Sequence, residues 1–330
     1  MLESSSGLGR KFVQNGGIVI TFVVLAVALT ILVEPRFLNR LNLTNVLRNF
    51  AFLAIPSIAQ MLVMTAGGFD LSLGAVVAIS SLLTAATMAT ASVAFPGMDL
   101  VVALMALGVV MSFGVVVGLL NGGLITFFGL SPFMVTLAMM SILMGGALYY
   151  TQGIPIYGVL DSYISNVGRG RFLTLPVIMW IAAAVVLLSV VLQRTTVLGR
   201  HLYAVGGHER SARLSGVRTA RVTLVAYVLA SCLAGFTGFL MTARIGSGQA
   251  TIGTTLALQT IAAAVIGGTS LRGGIGRSEL VALAALFLTV IANAMNLVRI
   301  DSKFQTLVLG AVLIIALGIE RLLLRRRMDG

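Results

Sequence analysis

Reaction chemistry needs nucleophiles, acid–base pairs or metal ligands, and this chain offers almost none in usable arrangement. Both histidines, His201 and His208, fall in one Arg-rich stretch, with no Cys or carboxylate pair at metal-ligand spacing. The single Cys232 lies in an apolar run, so neither a disulfide nor a Cys-rich site can be built, and its simplest role is as a small packing residue. Neither Lys11 nor Lys303 follows a glycine loop of the G-x-x-x-x-G-K form, which removes the usual phosphate cradle. No Asp or Glu pair occupies an apolar segment. These residues predict a chain that is not an enzyme and holds no metal or cofactor of its own.

What remains is a set of isolated polar groups in apolar surroundings. Asp70, in Gly67-Gly68-Phe69-Asp70-Leu71-Ser72-Leu73-Gly74, places a carboxylate between two apolar segments. Ionisable groups at membrane depth usually face a cavity or a partner. Asp70 has three readings: it caps the following helix by accepting from its free N–H groups, it contacts a solute, or it pairs structurally. Gln60, Asn121, Gln259, Asn293 and Asn296, with Thr136, Gln152 and Thr260, are neutral donors and acceptors of the kind that either join helices by hydrogen bonds or line a path for a polar solute. Gln60, Asn121, Gln259, Asn293 and Asn296 join Asp70 as candidates for a translocation path.

The elements that carry these residues are set by composition. The chain is 58% hydrophobic and 10% charged, with a mean hydropathy of +1.06. A soluble domain carries about 25% charged residues, and a bilayer core of roughly 30 Å is crossed by about 20 apolar helical residues. The fold class is therefore all-α, a polytopic integral membrane protein with about ten transmembrane or re-entrant helices in a single transmembrane domain over 1–330. The segments are 17–33, 46–66, 71–93, 100–120, 132–151, 173–192, 222–243, 253–267, 279–297 and 305–323. The eighth is short for a span and reads as a candidate re-entrant or broken helix, which is tolerated where neighbouring protein shields it. Gly114, Gly118, Gly145 and Gly146 are expected to permit close helix packing.

The formal charge of +12 reflects topology, not a nucleic-acid partner. With the N-terminus inside, 14 of the 22 basic residues fall in inner loops and tails and 8 in outer ones, which favours both termini in the cytoplasm. Residues 1–15 and 325–330 are then cytoplasmic tails, and 194–221 is the longest polar stretch between spans. Within it, His208-Glu209-Arg210-Ser211-Ala212-Arg213-Leu214-Ser215-Gly216 reads as a short helix entered through Gly206-Gly207 and closed by Gly216. Such a helix is a handle for a soluble partner, or else an Arg-rich loop against anionic membrane lipid. Gly67-Gly68-x-x-Leu71-x-x-Gly74 recurs as Gly267-Gly268-x-x-Leu271-x-x-Gly274, a possible two-half internal repeat.

Taken together, these stretches resemble the ribose-type permeases of ATP-binding cassette (ABC) importers, over about residues 44 to 324. The likeness rests on Gly67 to Gly74, Asn121-Gly122, Pro132 to Leu137, Thr151 to Ile156, Gly206 to Gly216, Gly267 to Gly274, and Asn293-x-x-Asn296-Leu297 followed by Phe304-Gln305. It implies a bacterial inner-membrane permease for a monosaccharide such as ribose, paired with a second copy or a paralogue. A cytoplasmic ABC ATPase subunit would use ATP and Mg, and a periplasmic sugar-binding protein would deliver the solute. His208 to Gly216 would be the coupling helix that seats on the ATPase. Three departures stand out: His208 where relatives often have Asn, Arg299 where a small residue is common, and Arg277-Ser278-Glu279-Leu280 in a region usually richer in small residues. The alternative is an ion-coupled secondary transporter, which would need membrane-embedded acids beyond Asp70.

Overall fold

The computed structural model describes residues 16–301 and, beyond them, residues 304, 305, 307, 308, 310, 311, 314 and 318. The expected tenth segment, 305–323, falls largely outside the described residues, as do the tails 1–15 and 325–330. The other nine expected segments each coincide with a helix: α1 (Gly17–Val33), α2 (Arg40–Thr65), α3 (Leu73–Ala94), α4 (Asp99–Phe127), α5 (Pro132–Thr151), α6 (Val177–Thr195), α9 (Thr219–Ile245), α10 (Leu256–Ile266) and α11 (Ser278–Leu297). Two short amphipathic helices, α7 (Val197–Gly207) and α8 (Glu209–Leu214), lie between α6 and α9. Among the described residues seven helices are long and apolar enough to cross a membrane, and α1 and α10 are shorter apolar helices.

At the end of the bundle away from α7 and α8, residues 152–176 form a helical turn over 161–168 and a two-stranded hairpin, β1 (Arg171–Phe172) with β2 (Leu175–Pro176). Hydropathy carries no signal for such a compact polar excursion. Phe172 meets Trp180 edge to face, and the Trp180 indole N–H donates to the Phe172 carbonyl at 3.0 Å.

Helix α9 is the hub, packing along α4, α3 and α2. Lipid tails are as apolar as Leu, so helices in a bilayer gain most by bringing backbones close. Gly114, Gly118 and Gly122 make one face of α4 flat. A Cβ on Gly114 would come 2.9 Å from the Cys232 Cα, one on Gly118 would strike the Val228 Cα, and one on Gly122 would sit 3.0 Å from the Leu224 Cα. Cys232 is the packing residue on the facing side. Gly145 and Gly146 correct the expectation made for them: a Cβ on either meets nothing within 4 Å, because both sit on the open face of α5.

Helix α10 has 11 residues, about 16 Å at 1.5 Å per residue, roughly half of a hydrocarbon layer. Residues 246–255 before it are non-helical and run back along α3. Gly248 exchanges backbone hydrogen bonds with Ile156 at 2.8 and 2.9 Å and lies beside Ser81, while Gly253 abuts Gly74. Backbone leaving the helical ladder inside the bundle is thus enclosed by protein, the condition for a broken helix.

Candidate functional site

The polar groups gather in three places. On one side of the bundle a cavity of about 200 Å³ opens between α2, α10 and α11, lined by Asn49, Leu53, Leu256, Gln259, Leu288, Thr289, Ala292, Asn293 and Asn296. Three of the six path candidates, Gln259, Asn293 and Asn296, are brought together here. Asn49 and Thr289 join them and were missed. The signal existed for Thr289, because positions 289, 293 and 296 follow the i, i+4, i+7 spacing of one helical face. Asn49 lies on a different helix, whose facing toward α11 no local pattern encodes. The lining is neutral, and Asn293 is held by a reciprocal amide pair with Asn42, at 3.0 and 2.8 Å.

Asp70, in the link 66–72 between α2 and α3, and Asn121, on α4, fall in a second cluster. Asp70 is fully buried. Its Oδ1 accepts from the Ser72 N–H at 2.8 Å and the Ser72 hydroxyl at 2.6 Å, and Asn121 Nδ2 donates to the same hydroxyl at 3.0 Å. Both bonds come from Ser72, just outside α3, so Asp70 closes a turn at the helix entrance without capping a helical amide. Its Oδ2 and the Asn121 Oδ1 have no partner among the described residues. Burial pushes the Asp70 carboxyl up to about 6, against the lowering effect of the Ser72 hydrogen bonds. The Tyr227 hydroxyl braces this link, accepting from the Phe69 N–H at 3.1 Å and donating to its carbonyl at 3.0 Å. Gln60 stands apart from both clusters: it is fully buried on α2, with neither amide atom bonded among the described residues.

The third place is the α7–α8 hook. Thr196 caps α7 by accepting from the Gly199 N–H at 3.0 Å. His208 caps α8, its Nδ1 accepting from the Ser211 N–H at 3.3 Å. This explains the first departure, because Asn and His both present an acceptor to the first helical turn. Gly216, at φ +86°, ends the helix, with the Val217 N–H reaching back to the Ala212 carbonyl at 3.0 Å. Glu209 pairs with Arg213 at 2.8 Å and accepts from Thr219 at 3.1 Å, while Arg210, Arg213 and Leu214 are exposed and Ala212 is buried against the bundle. The small helix therefore presents charged and apolar groups outward from a fixed base.

The other departures also have physical roles. Arg299, at φ +59°, takes the left-handed position that ends α11, where a residue without Cβ would be unstrained. Ser278 and Glu279 tie α11 to α6: the Gln193 Oε1 accepts from the Ser278 N–H at 3.0 Å and its hydroxyl at 2.7 Å, and Glu279 pairs with Arg194 and with Arg277. The two glycine motifs each close a helix, but one residue out of step, with the left-handed residue at Gly67 in the first and at Gly268 in the second.

An apolar helical bundle with a half-helix beside a neutral polar cavity, and a capped helix hung from one end, is the build of a multi-pass membrane permease. The chain belongs to the ribose-type ABC permease family: the family model described as "Branched-chain amino acid transport system / permease component" matches residues 42–317. It is 38% identical to the ribose import permease protein of Bacillus subtilis, over 93% of each chain. It is 31% identical to the D-allose transport system permease protein of Escherichia coli, over 92% of this chain and 91% of that one, and 31% identical to the galactose/methyl galactoside import permease protein of the same organism, over 98% and 99%. No solved structure matches it. Permease components are non-catalytic transmembrane subunits, in keeping with the missing phosphate cradle.

Proposed function

We propose that this chain is the pore-forming subunit of an ATP-driven importer that moves a monosaccharide, ribose or a close relative, into the bacterial cytoplasm. The observation that carries this reading is the neutral cavity of Asn49, Gln259, Thr289, Asn293 and Asn296 beside the half-helix α10. Amides and a hydroxyl without net charge suit a polyhydroxyl solute, and about 200 Å³ is below the roughly 300 Å³ at which sites for larger ligands begin. The similarity to relatives named for ribose, allose and galactose supports the same substrate class.

In this reading a cytoplasmic ATPase, using ATP and Mg, seats on His208 to Gly216, and both termini lie on that side. A periplasmic sugar-binding protein releases solute at the opposite end, and a second copy or a paralogue completes the path. Asp70, Asn121 and Gln60 stand off the cavity and act in packing and hinging, with the solute met by Gln259, Asn293 and Asn296. The test is solute-dependent ATP hydrolysis and uptake in proteoliposomes holding this chain, its ATPase and a binding protein, with a monosaccharide panel. Stimulation by one sugar supports the proposal. Uptake by this chain alone, without ATP, overturns it in favour of ion-coupled transport.

A further inference from the structure

The two copies of the glycine motif, at 67–74 and 267–274, are far apart in sequence and touch in space, and they do so against the base of the α7–α8 hook. The Gly274 N–H donates to the Thr65 carbonyl at 2.9 Å. A Cβ on Gly206 would strike that same carbonyl oxygen and come 2.6 Å from the Gly274 nitrogen. One on Gly273 would lie 2.6 Å from the Gly206 carbonyl oxygen and 2.8 Å from the Gly67 Cα, and one on Gly274 would lie 2.7 Å from the Gly207 Cα. Beside them the Tyr203 hydroxyl donates to the Gly276 carbonyl at 2.6 Å. Three chain turns thus meet main chain to main chain, with no side chain between them.

We infer that this three-way glycine contact, Thr65–Gly67 with Gly206–Gly207 and Gly273–Gly274, is the joint through which movement of the coupling helix reaches the solute cavity. The inference rests on the importer reading. Its physical basis is stiffness. A side chain between two elements can absorb a displacement by changing rotamer, whereas packed main chain cannot yield without moving its whole element. Gly206 and Gly207 end α7, immediately before the His208 cap of α8, so a push on α8 arrives there first. From the joint the displacement has two continuations. Thr65–Gly67 leads into the Asp70 link and the start of α3. Gly273–Gly274 lies between α10, which carries Leu256 and Gln259, and α11, which carries Thr289, Asn293 and Asn296. One joint therefore holds all three cavity helices, since Thr65 is the last residue of α2.

The glycines are positioning residues, and close packing alone would make a different prediction. If they serve only as packing, Gly206→Ala lowers stability and leaves the ratio of solute moved to ATP hydrolysed unchanged. As a joint, Gly206→Ala keeps the ATPase bound and basal hydrolysis intact while solute moved per ATP falls roughly tenfold. Gly207→Ala, whose Cβ meets nothing within 4 Å, behaves as the parent. The experiment measures co-purification, basal hydrolysis and uptake for the parent, Gly206→Ala and Gly207→Ala complexes in proteoliposomes. If the parent shows no ATP-dependent uptake, the importer reading falls and the joint with it. If the parent is coupled and assembled Gly206→Ala is coupled equally well, the joint alone falls. Spin labels decide the case in which Gly206→Ala does not assemble. In a Cys232→Ser background, Ala204→Cys and Leu271→Cys report across the joint, and Ala204→Cys with Leu173→Cys reports along the bundle. On trapping the ATP-bound state, the first distance holds within about 2 Å while the second changes by more. Separation of the first pair, or no change in either, overturns the inference.

Discussion

Replacing Asp70 by Asn tests the buried network in a way that can be worked through from the geometry. The Asp70 carboxyl rises from an ordinary 3.8 to about 6 because burial strips its hydration, and the two Ser72 hydrogen bonds offset only part of that. The folded chain therefore binds more protons than the unfolded chain between those two values, so stability is highest below the lower one and falls as pH rises through the upper one. A rise of about two units at 1.36 kcal/mol each makes the ionised folded state roughly 3 kcal/mol less stable than the protonated one. Asn keeps an acceptor for the Ser72 N–H and hydroxyl and cannot ionise. Asp70→Asn should then abolish the fall between about pH 4 and pH 6 and, above it, equal or exceed the parent by up to about 3 kcal/mol, less about 1 kcal/mol or more if its new N–H groups stay unpaired. Cys232 supplies the assay, since it is half-buried against the Met111 carbonyl, with Sγ 3.9 Å away, and a dipyridyl disulfide, which reacts with thiols in acid as well as at neutral pH, reports its release on melting. A pH-dependent fall that persists unchanged in Asp70→Asn refutes the reasoning. Full solute uptake by the same variant would further show that the carboxylate charge is not needed for transport.

Other outcomes follow from the same contacts. Gly118→Ala forces α4 from α9, because its Cβ strikes the Val228 Cα and lies 2.8 Å from the Tyr227 carbonyl oxygen; a loss of about 1–3 kcal/mol is expected by thermal melting, against no loss for Gly108→Ala, which meets nothing within 4 Å. Arg299→Gly relieves a left-handed residue at the end of α11 and should raise stability by about 1 kcal/mol in the same assay. Glu209→Arg breaks an exposed pair with Arg213 that contributes only about 0.5 kcal/mol, so the permease should still insert and fold while ATPase co-purification and uptake are lost. Thr289→Val with Asn49→Leu removes two polar groups from the cavity wall and should reduce uptake of the preferred sugar about tenfold or more, measured as transport at fixed ATPase activity.

The sequence by itself determined the solvent and the inventory of elements. Runs such as Leu100 to Leu120 can be stable only as helices in lipid, and local signals such as Gly216 and the caps of the 194–221 stretch are written within a few residues. The absence of a phosphate cradle or a carboxylate pair was also legible, because each requires a local spacing of glycine and lysine or of acids that the chain does not contain. Even the broken eighth segment showed as too few apolar residues for a span. Tertiary structure decided which polar groups meet. Gln259, Asn293 and Asn296 belong with Asn49 and Thr289, while Asp70 and Asn121 close on Ser72 and Gln60 stands alone, because the facing of one apolar helix toward another depends on packing over the whole bundle. It likewise separated Gly114 and Gly118, pressed on α9, from Gly145 and Gly146, which face outward on α5. The meeting of Gly67, Gly206 and Gly273 was invisible for the same reason: a glycine in sequence shows that close approach is permitted, and only the folded chain shows what approaches.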